Sequence, residues 1–500
     1  MIMIHPFLFA IFPIFSLFSQ NLDSLRPNDI VFPLIVFLGV TIVLLLIFHY
    51  IFKNSIKSGI LISLLWTIFF SYGYIFAVFD ISIFQDIDYI QQHALLMTPF
   101  FGVLIIGILI ITKTKRKLNN ATTIINVMAI ALIIFPAVNI TSYYLQENTN
   151  YENYETTNFS QNTKLEDAPN IYYIILDEYS PQKTLQDSFD FDNSSFLNYL
   201  REKGFYVLSE SYSNYPVTFQ TLASLLNMEY INWIGEEIEE NSNDHHLAYK
   251  LIDNNKVMSL FKSKGYVTSN TDSGYEVSRT ISNADLNLCG ENQILNSEFL
   301  VMTLRNSILN PIYVKMFEPG YRERVLCTFD EIPKVQLKTD KPVFVFSHIL
   351  LPHGPYFWGP NGEHLTPGKY SLESGYDRPI EGYLDQLQFV NKKMKIMIDE
   401  ILLHSNRQSI IIIQSDTGPS LNYQIGDVTG KMIKERLSNV TFVYFPNNQD
   451  VFYEGMTPVN VFPLIFNAIF DENFEILEDK SYFSLEENIF RFQDVTDFVR

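Results

Sequence analysis

The sequence predicts an N-terminal α-helical membrane domain of about five transmembrane helices followed by an α/β sandwich domain, and three observations carry that prediction. Apolar runs near 20 residues long crowd the first 145 positions. A polar stretch rich in Asn, Thr, Glu, Tyr and Gln follows, between Gln146 and Pro169. Beyond it, short β-branched and aromatic runs alternate with helical ones to the end of the chain. The expected organisation is a membrane domain at 1–145, a linker at 146–168 and an outer domain at 169–500.

With 47% hydrophobic and only 18% charged residues among 500, the chain is too apolar to be largely disordered. Its charge is divided. Residues 1–146 carry 7 Lys/Arg and 5 Asp/Glu, which leaves 28 basic against 50 acidic residues beyond them. An acidic excess of that size repels phosphate backbones and argues against a nucleic-acid partner. Two cysteines, Cys289 and Cys327, exclude a disulfide scaffold and leave a single bridge open.

Four segments are long and apolar enough to cross a hydrocarbon core: Ile30–Phe52, Gly59–Phe79, Ala94–Ile111 and Ala121–Ile140. A fifth, Ile2–Phe18, is shorter and carries His5, Pro6 and Pro13; lacking a basic n-region, it reads as a retained span before it reads as a cleaved signal. Lys53 and Lys57, then Lys113, Lys115, Arg116 and Lys117, mark cytoplasmic loops, while Asp23, Asp29, Asp80, Asp86 and Asp88 lie in the loops between. A cytoplasmic N-terminus then delivers the chain after Tyr143 to the outside. The expectation is a multi-pass cell-membrane protein with an extracytoplasmic C-terminal domain. His49, Asn126 and Asn139 sit at or near span ends, where polar groups cap or snorkel more often than they bind.

In the outer domain, Ile171–Leu176, Val343–Ser347, Ile410–Gln414 and Thr441–Phe445 are continuous apolar runs, as strands buried on both faces require. Helical stretches such as Ser194–Lys203, Val257–Lys264 and Leu384–Leu403 separate them, which indicates a mostly parallel sheet. Sites in such folds form at the carboxyl ends of the strands. Asp177 and Glu178 follow the first run, His348 and His353 the second, and Asp416 the third. An Asp after a strand more often caps a turn than binds metal, but carboxylates converging from separate strands would repel one another without a divalent cation. An O/N ligand set suits zinc or manganese. Thr218 falls at the start of a helical run, where its hydroxyl is either a plain N-cap or, beside a metal, a nucleophile.

Pro169-Asn-Ile-Tyr-Tyr-Ile-Ile-Leu-Asp-Glu178, the Thr218 segment, His348-Ile-Leu-Leu-Pro-His-Gly-Pro-Tyr356 and Ile411-Ile-Ile-Gln-Ser-Asp-Thr-Gly-Pro419 occur in that order, with Pro458-Val-Asn-Val-Phe462 near the end. Together they resemble the sulfatase-like hydrolases and transferases of the alkaline phosphatase superfamily, above all the membrane phosphoethanolamine transferases and lipoteichoic acid synthases. The resemblance spans about 170 to 470 and implies an alkaline phosphatase-like fold for the outer domain. It implies Thr218 as the residue that takes the phosphoryl group, with Thr221 as the competing nucleophile. It makes Asp177, Glu178 and Asp416 metal ligands, and His348 and His353 substrate-contacting histidines.

Two departures stand out. Thr218 is followed by Gln220 and Leu222, without the Cys/Ser, Pro and Arg pattern of formylglycine sulfatases. The family's Asp-His-Gly is Asp416-Thr417-Gly418, so a good zinc ligand is replaced by a poor one, and the site is weakened, lost, or rebuilt with another histidine such as His353 or His364. The expected function is a membrane-bound, metal-dependent transferase that moves a phospho-head group from a lipid donor to an envelope glycan or lipid acceptor through a phospho-threonine. A phosphodiester hydrolase with the same intermediate, or a degenerate binding and assembly module, is the alternative.

Overall fold

Where a segment has no water to bond, its backbone must be satisfied internally, and a continuous helix does so. The apolar runs accordingly form α1 (His5–Ser19), α2 (Val31–Phe52), α3 (Ser55–Ser82), α4 (Tyr89–Lys113) and α5 (Asn119–Asn150). The computed structural model describes residues 2–22, 25, 27–82, 89–150, 168–237, 244–272, 274–290, 298–365, 380–421, 429–446, 448–485 and 487–500. Asp23, Asp86, Asp88 and most of the expected linker lie outside them; its first residues, through Asn150, continue α5.

Among the described residues, four helices have the length and composition to cross a membrane, one fewer than the five expected. The exception is α1, whose 15 residues give about 22 Å of helix, short of the roughly 30 Å of a hydrocarbon core. It is built instead as an inner strut along α5. The Asn126 carboxamide oxygen accepts from the backbone N–H groups of Ile4 and His5 at 3.2 and 3.0 Å, and the Asn139 amide donates to the Ser19 carbonyl at 2.8 Å. Two asparagines of one helix thus cap both ends of another.

The chain divides into two units. The first comprises Met1–Tyr154 and Asn292–Pro319, so an excursion from within the 169–500 stretch belongs with the helices. Its helix Glu298–Arg305 sets Phe299 edge-on against Phe18, with ring centroids 5.8 Å apart. Ile308 N–H donates to the Phe69 carbonyl at 2.8 Å, and a Cβ on Gly73 would meet the Asn306 backbone at 2.5 Å, so only glycine permits that approach. Further inside, Ala10, Ile14 and Phe18 pack on Phe37, Ile62, Trp66 and Phe70.

The second unit, Glu155–Glu291 with Gly320–Arg500, is built on a seven-stranded sheet. Its strands are β1 (Asn170–Leu176), β2 (Tyr206–Val207), β3 (Val267–Thr271), β4 (Leu286–Leu288), β5 (Val343–Ile349), β6 (Ser409–Ser415) and β7 (Thr441–Tyr444), in the order β2-β7-β6-β1-β5-β3-β4. The pairs among β6, β1, β5, β3 and β4 are parallel, and β7 runs antiparallel to β6 and β2. Every residue of β1, β5 and β6 is buried, as the continuous apolar runs require.

Alternation along the central strands assigns the two faces. One carries Tyr173, Phe344 and Phe346 and packs on α8 (Lys256–Ser263) and α11 (Val461–Phe470) through Phe261 and Phe462. On the other, Phe442 of β7 meets Phe196 of α6 (Ser194–Glu202), and Tyr179, just past β1, bonds Asn391 of α9 (Ile380–His404). An antiparallel pair, β8 (Tyr482–Leu485) with β9 (Asn488–Asp494), follows α11. Cys289 and Cys327 are disulfide-bonded across a sequence separation of 38, at the two ends of the stretch that makes the excursion.

Candidate active site

Strand register brings the acidic and imidazole groups together. Leu176 is level with Ser415 of β6, so the residues that follow, Asp177 and Asp416, leave adjacent parallel strands side by side. His348 is level with Ile175 of β5's neighbour β1, two residues before Asp177, and therefore points to the same face. Asp177, His348 and Asp416 each offer a ligand atom, all within 4.8 Å of one another, and all three residues are buried. His348 Nε2 lies 3.6 Å from Asp177 Oδ2, while its Nδ1 is paired with the Ser278 hydroxyl at 2.9 Å.

Thr218 is the first residue of α7 (Thr218–Asn227); the N-cap position is taken by Val217. Its hydroxyl is therefore not a helix cap. It donates to Asp416 Oδ2 at 2.5 Å, and Asp416 Oδ1 accepts from the Glu178 backbone N–H at 3.2 Å. Thr221, one turn on, is fully buried and spends its hydroxyl on the Tyr215 carbonyl at 3.2 Å.

Glu178 turns away from this group. Its φ of 60° is left-handed, which costs a non-glycine residue roughly 1–2 kcal/mol, and the turn sends its side chain to Arg436 and Ser420, at 2.6 and 2.8 Å. Glu178 is thus placed beside a guanidinium and not among the three groups able to share a cation. His353 is 30% exposed, with Nε2 3.9 Å from Glu178 Oε1, and His364 lies on the surface, bridged to Trp358. Thr417 is fully buried and its hydroxyl has no hydrogen-bond partner.

The electrostatics of the two aspartates diverge. Burial, then the charge of Asp177, pushes the Asp416 carboxyl up to about 6. Burial works the same way on Asp177, but His353, His348 and Arg436 outweigh it and hold that carboxyl below its usual range. Asp177 Oδ1 and His348 Nε2 are buried without hydrogen-bond partners, which is costly unless something else satisfies them. Two carboxylates, an imidazole nitrogen and a hydroxyl form a donor set that fits zinc or manganese.

Two participants carry no local signal in the sequence. Ser278 lies in a four-residue helix, and Arg436 sits in the charged α10 (Gly430–Leu437), where an arginine reads as a solvated face. Only the tertiary structure brings them to the strand ends.

The model of the family described as Sulfatase matches residues 169–467. No curated protein matches the chain. Among solved structures, the integral membrane lipooligosaccharide phosphoethanolamine transferase A of Neisseria meningitidis aligns over 92% of this chain and 95% of its own, at 11% identity and a TM-score of 0.46. The C-terminal periplasmic domain of EptC from Escherichia coli aligns over 65% of this chain and 93% of its own, at 12% identity and a TM-score of 0.41. A phosphonate monoester hydrolase of Agrobacterium radiobacter aligns over 63% and 80%, at 10% identity and a TM-score of 0.42.

Proposed function

The chain belongs to the sulfatase family, and from that premise we propose that it is a membrane-bound, metal-dependent phosphotransferase. It moves a phospho-head group, of phosphoethanolamine or phosphoglycerol type, from a lipid donor to a glycan or lipid acceptor of the cell envelope. The observation that carries this reading is the Thr218 hydroxyl, aimed at 2.5 Å into a carboxylate of a buried Asp–His–Asp group. In this reading the four apolar helices would hold the protein in the cell membrane, and the charge bias of their loops favours the outer side for the chain after α5; four crossings, unlike the five expected, would put the segment before α2 on that side as well.

Asp177, Asp416 and His348, with Thr218 Oγ1, would hold zinc or manganese. The cation would neutralise charge on the transferring phosphoryl group and favour ionisation of the hydroxyl. The side chains do the rest. Asp416 Oδ2 receives the hydrogen of Thr218 and keeps Oγ1 in place. Oγ1 attacks the donor phosphorus, the bond from phosphorus to the donor lipid's oxygen breaks, and that oxygen leaves with the proton that Thr218 gave to Asp416. The head group, now esterified to Thr218, passes to an acceptor hydroxyl, whose proton replaces the one Thr218 lost. His353, partly exposed with its Nε2 3.9 Å from Glu178, would contact the donor's phosphoryl oxygens. If water takes the acceptor's place, the same steps make a hydrolase.

Incubating the full chain with head-group-labelled lipid in vesicles, then measuring the mass of the peptide that contains Thr218, tests this. An adduct on Thr218 is expected, and Thr218→Ala should lose adduct and transfer by 10³-fold or more, at a stability cost of about 1 kcal/mol for one hydrogen bond. Full activity in Thr218→Ala, or an adduct on Thr221, overturns the assignment. A folded protein that binds neither Zn²⁺ nor Mn²⁺ points to the binding-module reading, which the unpartnered Thr417 hydroxyl favours.

A further inference from the structure

We propose that Arg436 is the positioning residue of this site: one guanidinium fastens the three loops that carry Thr218, Asp177 and Asp416, and so sets their spacing before any cation is bound. The proposal rests on the reading of these three residues as the reacting centre. Arg436 Nε donates to the Pro216 carbonyl at 2.6 Å, two residues before Thr218. Nη1 donates to the Gly418 carbonyl at 2.8 Å, two residues after Asp416, and to Glu178 Oε1 at 2.6 Å, one residue after Asp177. The backbone repeats the tie, since the Gly418 N–H donates to the Arg436 carbonyl at 2.8 Å. A Cβ on Gly418 would come within 1.9 Å of the Glu435 carbonyl oxygen, so the 416–418 loop is pressed against the end of α10.

This geometry explains why Glu178 turns away from its neighbour. The left-handed φ of Glu178 separates two successive acids: Asp177 goes to the cation-binding group and Glu178 to the guanidinium. A planar fork reaches three acceptors at fixed angles, whereas a lysine ammonium, a point charge on a flexible stem, would hold the charge without the geometry. With Thr417 in place of a histidine, a bound cation has one protein ligand fewer with which to gather the loops. Arg436 gathers them from behind. Its place is one shell out from the reacting atoms, where partners of ligands are worth roughly 10- to 100-fold in metal affinity.

The test compares full-length wild type with Arg436→Lys, Arg436→Met and Glu178→Gln, by two measurements. In metal-free protein, amide hydrogen exchange at 177–178, 217–218 and 416–418 should rise at least about 10-fold in Arg436→Met, with exchange in β5 unchanged. With Co²⁺ alone as probe, the dissociation constant should rise 10- to 100-fold and the visible spectrum should shift, with Arg436→Lys failing to restore either. Should Arg436→Met not fold, Glu178→Gln removes the charge of the same tie while keeping its shape and is read in its place. Unchanged exchange in these loops overturns the proposal. So does a variant that is merely less stable but binds Co²⁺ with wild-type affinity and spectrum, because that is a structural role only. If wild type binds no Co²⁺, the metal-dependent reading fails by itself, and the exchange result alone decides whether Arg436 sets the loops.

Discussion

The two units use apolar residues in opposite ways. In the first, large side chains face outward: Leu46 is 67% exposed, Ile110 64% and Phe135 78%. In the second, Phe344, Ile411 and Ile412 are fully enclosed. The difference teaches what the polar groups are for. Where apolar surface cannot tell a helix which way to face, direction comes from polar contacts. Asn126 and Asn139 grip α1, the Trp66 indole donates to Thr41 at 3.0 Å, and Lys57 on α3 caps the Thr112 carbonyl of α4 at 2.8 Å and the Thr114 carbonyl just past its end at 2.9 Å. In the second unit, where apolar surface builds the core, the buried groups able to share a cation, Asp177, His348 and Asp416, lie at or near the ends of β1, β5 and β6.

The comparison is sharpest for one residue type in the two settings. Phe344 packs on Phe261 at 4.2 Å and on Phe462 at 5.7 Å between sheet and helices. Phe344→Ala should destabilise the second unit by about 3–5 kcal/mol, the transfer and cavity cost of an enclosed phenyl ring. Chemical denaturation of the full chain in micelles measures it. A loss below 1 kcal/mol would mean that this core repacks freely, and the contrast between the units would weaken.

Next comes the disulfide. In the chain-entropy account, a bridge across 38 residues restricts the unfolded chain by about 4 kcal/mol, within the usual experimental range of about 2–4 kcal/mol. Cys289→Ser with Cys327→Ser should lower the second unit's stability by that range, while α1–α5, which contain no cysteine, keep their exchange protection. If protection in the helices collapses as well, the units do not unfold separately.

The fold was legible where periodicity is strong. Ile171–Leu176, Val343–Ser347 and Ile410–Gln414 all became central parallel strands, and the order of motifs pointed to the sulfatase family that the family model matches. The fifth span was not legible as a strut, because Ile2–Phe18 is as apolar as a span; what separates it is length and two asparagines that bond to it across 122 and 120 residues. The excursion at Asn292–Pro319 was hidden for a similar reason: Phe299 and Ile308 look like core residues of whichever unit they join. In the site, sequence marks strand ends but not rotation. It could not tell that Glu178 would swing to Arg436, or that His348, inside a strand, would share a face with Asp177.

Thr417 tests the chemistry of the second unit on a smaller scale. Thr417→His places an imidazole beside Asp416 and should tighten Zn²⁺ or Mn²⁺ by about 10-fold, near 1.4 kcal/mol, if the pocket is intact. Calorimetric titration of both proteins checks this. Flat affinity combined with tight binding by wild type would indicate that His348 already fills the missing place, since its Nε2 is the buried imidazole nitrogen left without a hydrogen-bond partner there.

The smallest effect is expected where the comparison began. Phe135 lies in α5, in the stretch able to cross a membrane, and is as exposed as any large residue of that helix. If the surrounding medium is lipid, its ring contacts acyl chains before and after folding, so Phe135→Ala removes no protein contact and opens no cavity. The cost should stay within about 0.5 kcal/mol, as for substitutions away from packed or bonded features. Thermal unfolding in lipid nanodiscs measures it against Phe344→Ala in the same preparation. A loss above about 2 kcal/mol would mean that Phe135 is covered by protein in the membrane, and the outward face of α5 would then be an interface between chains rather than a lipid-facing surface.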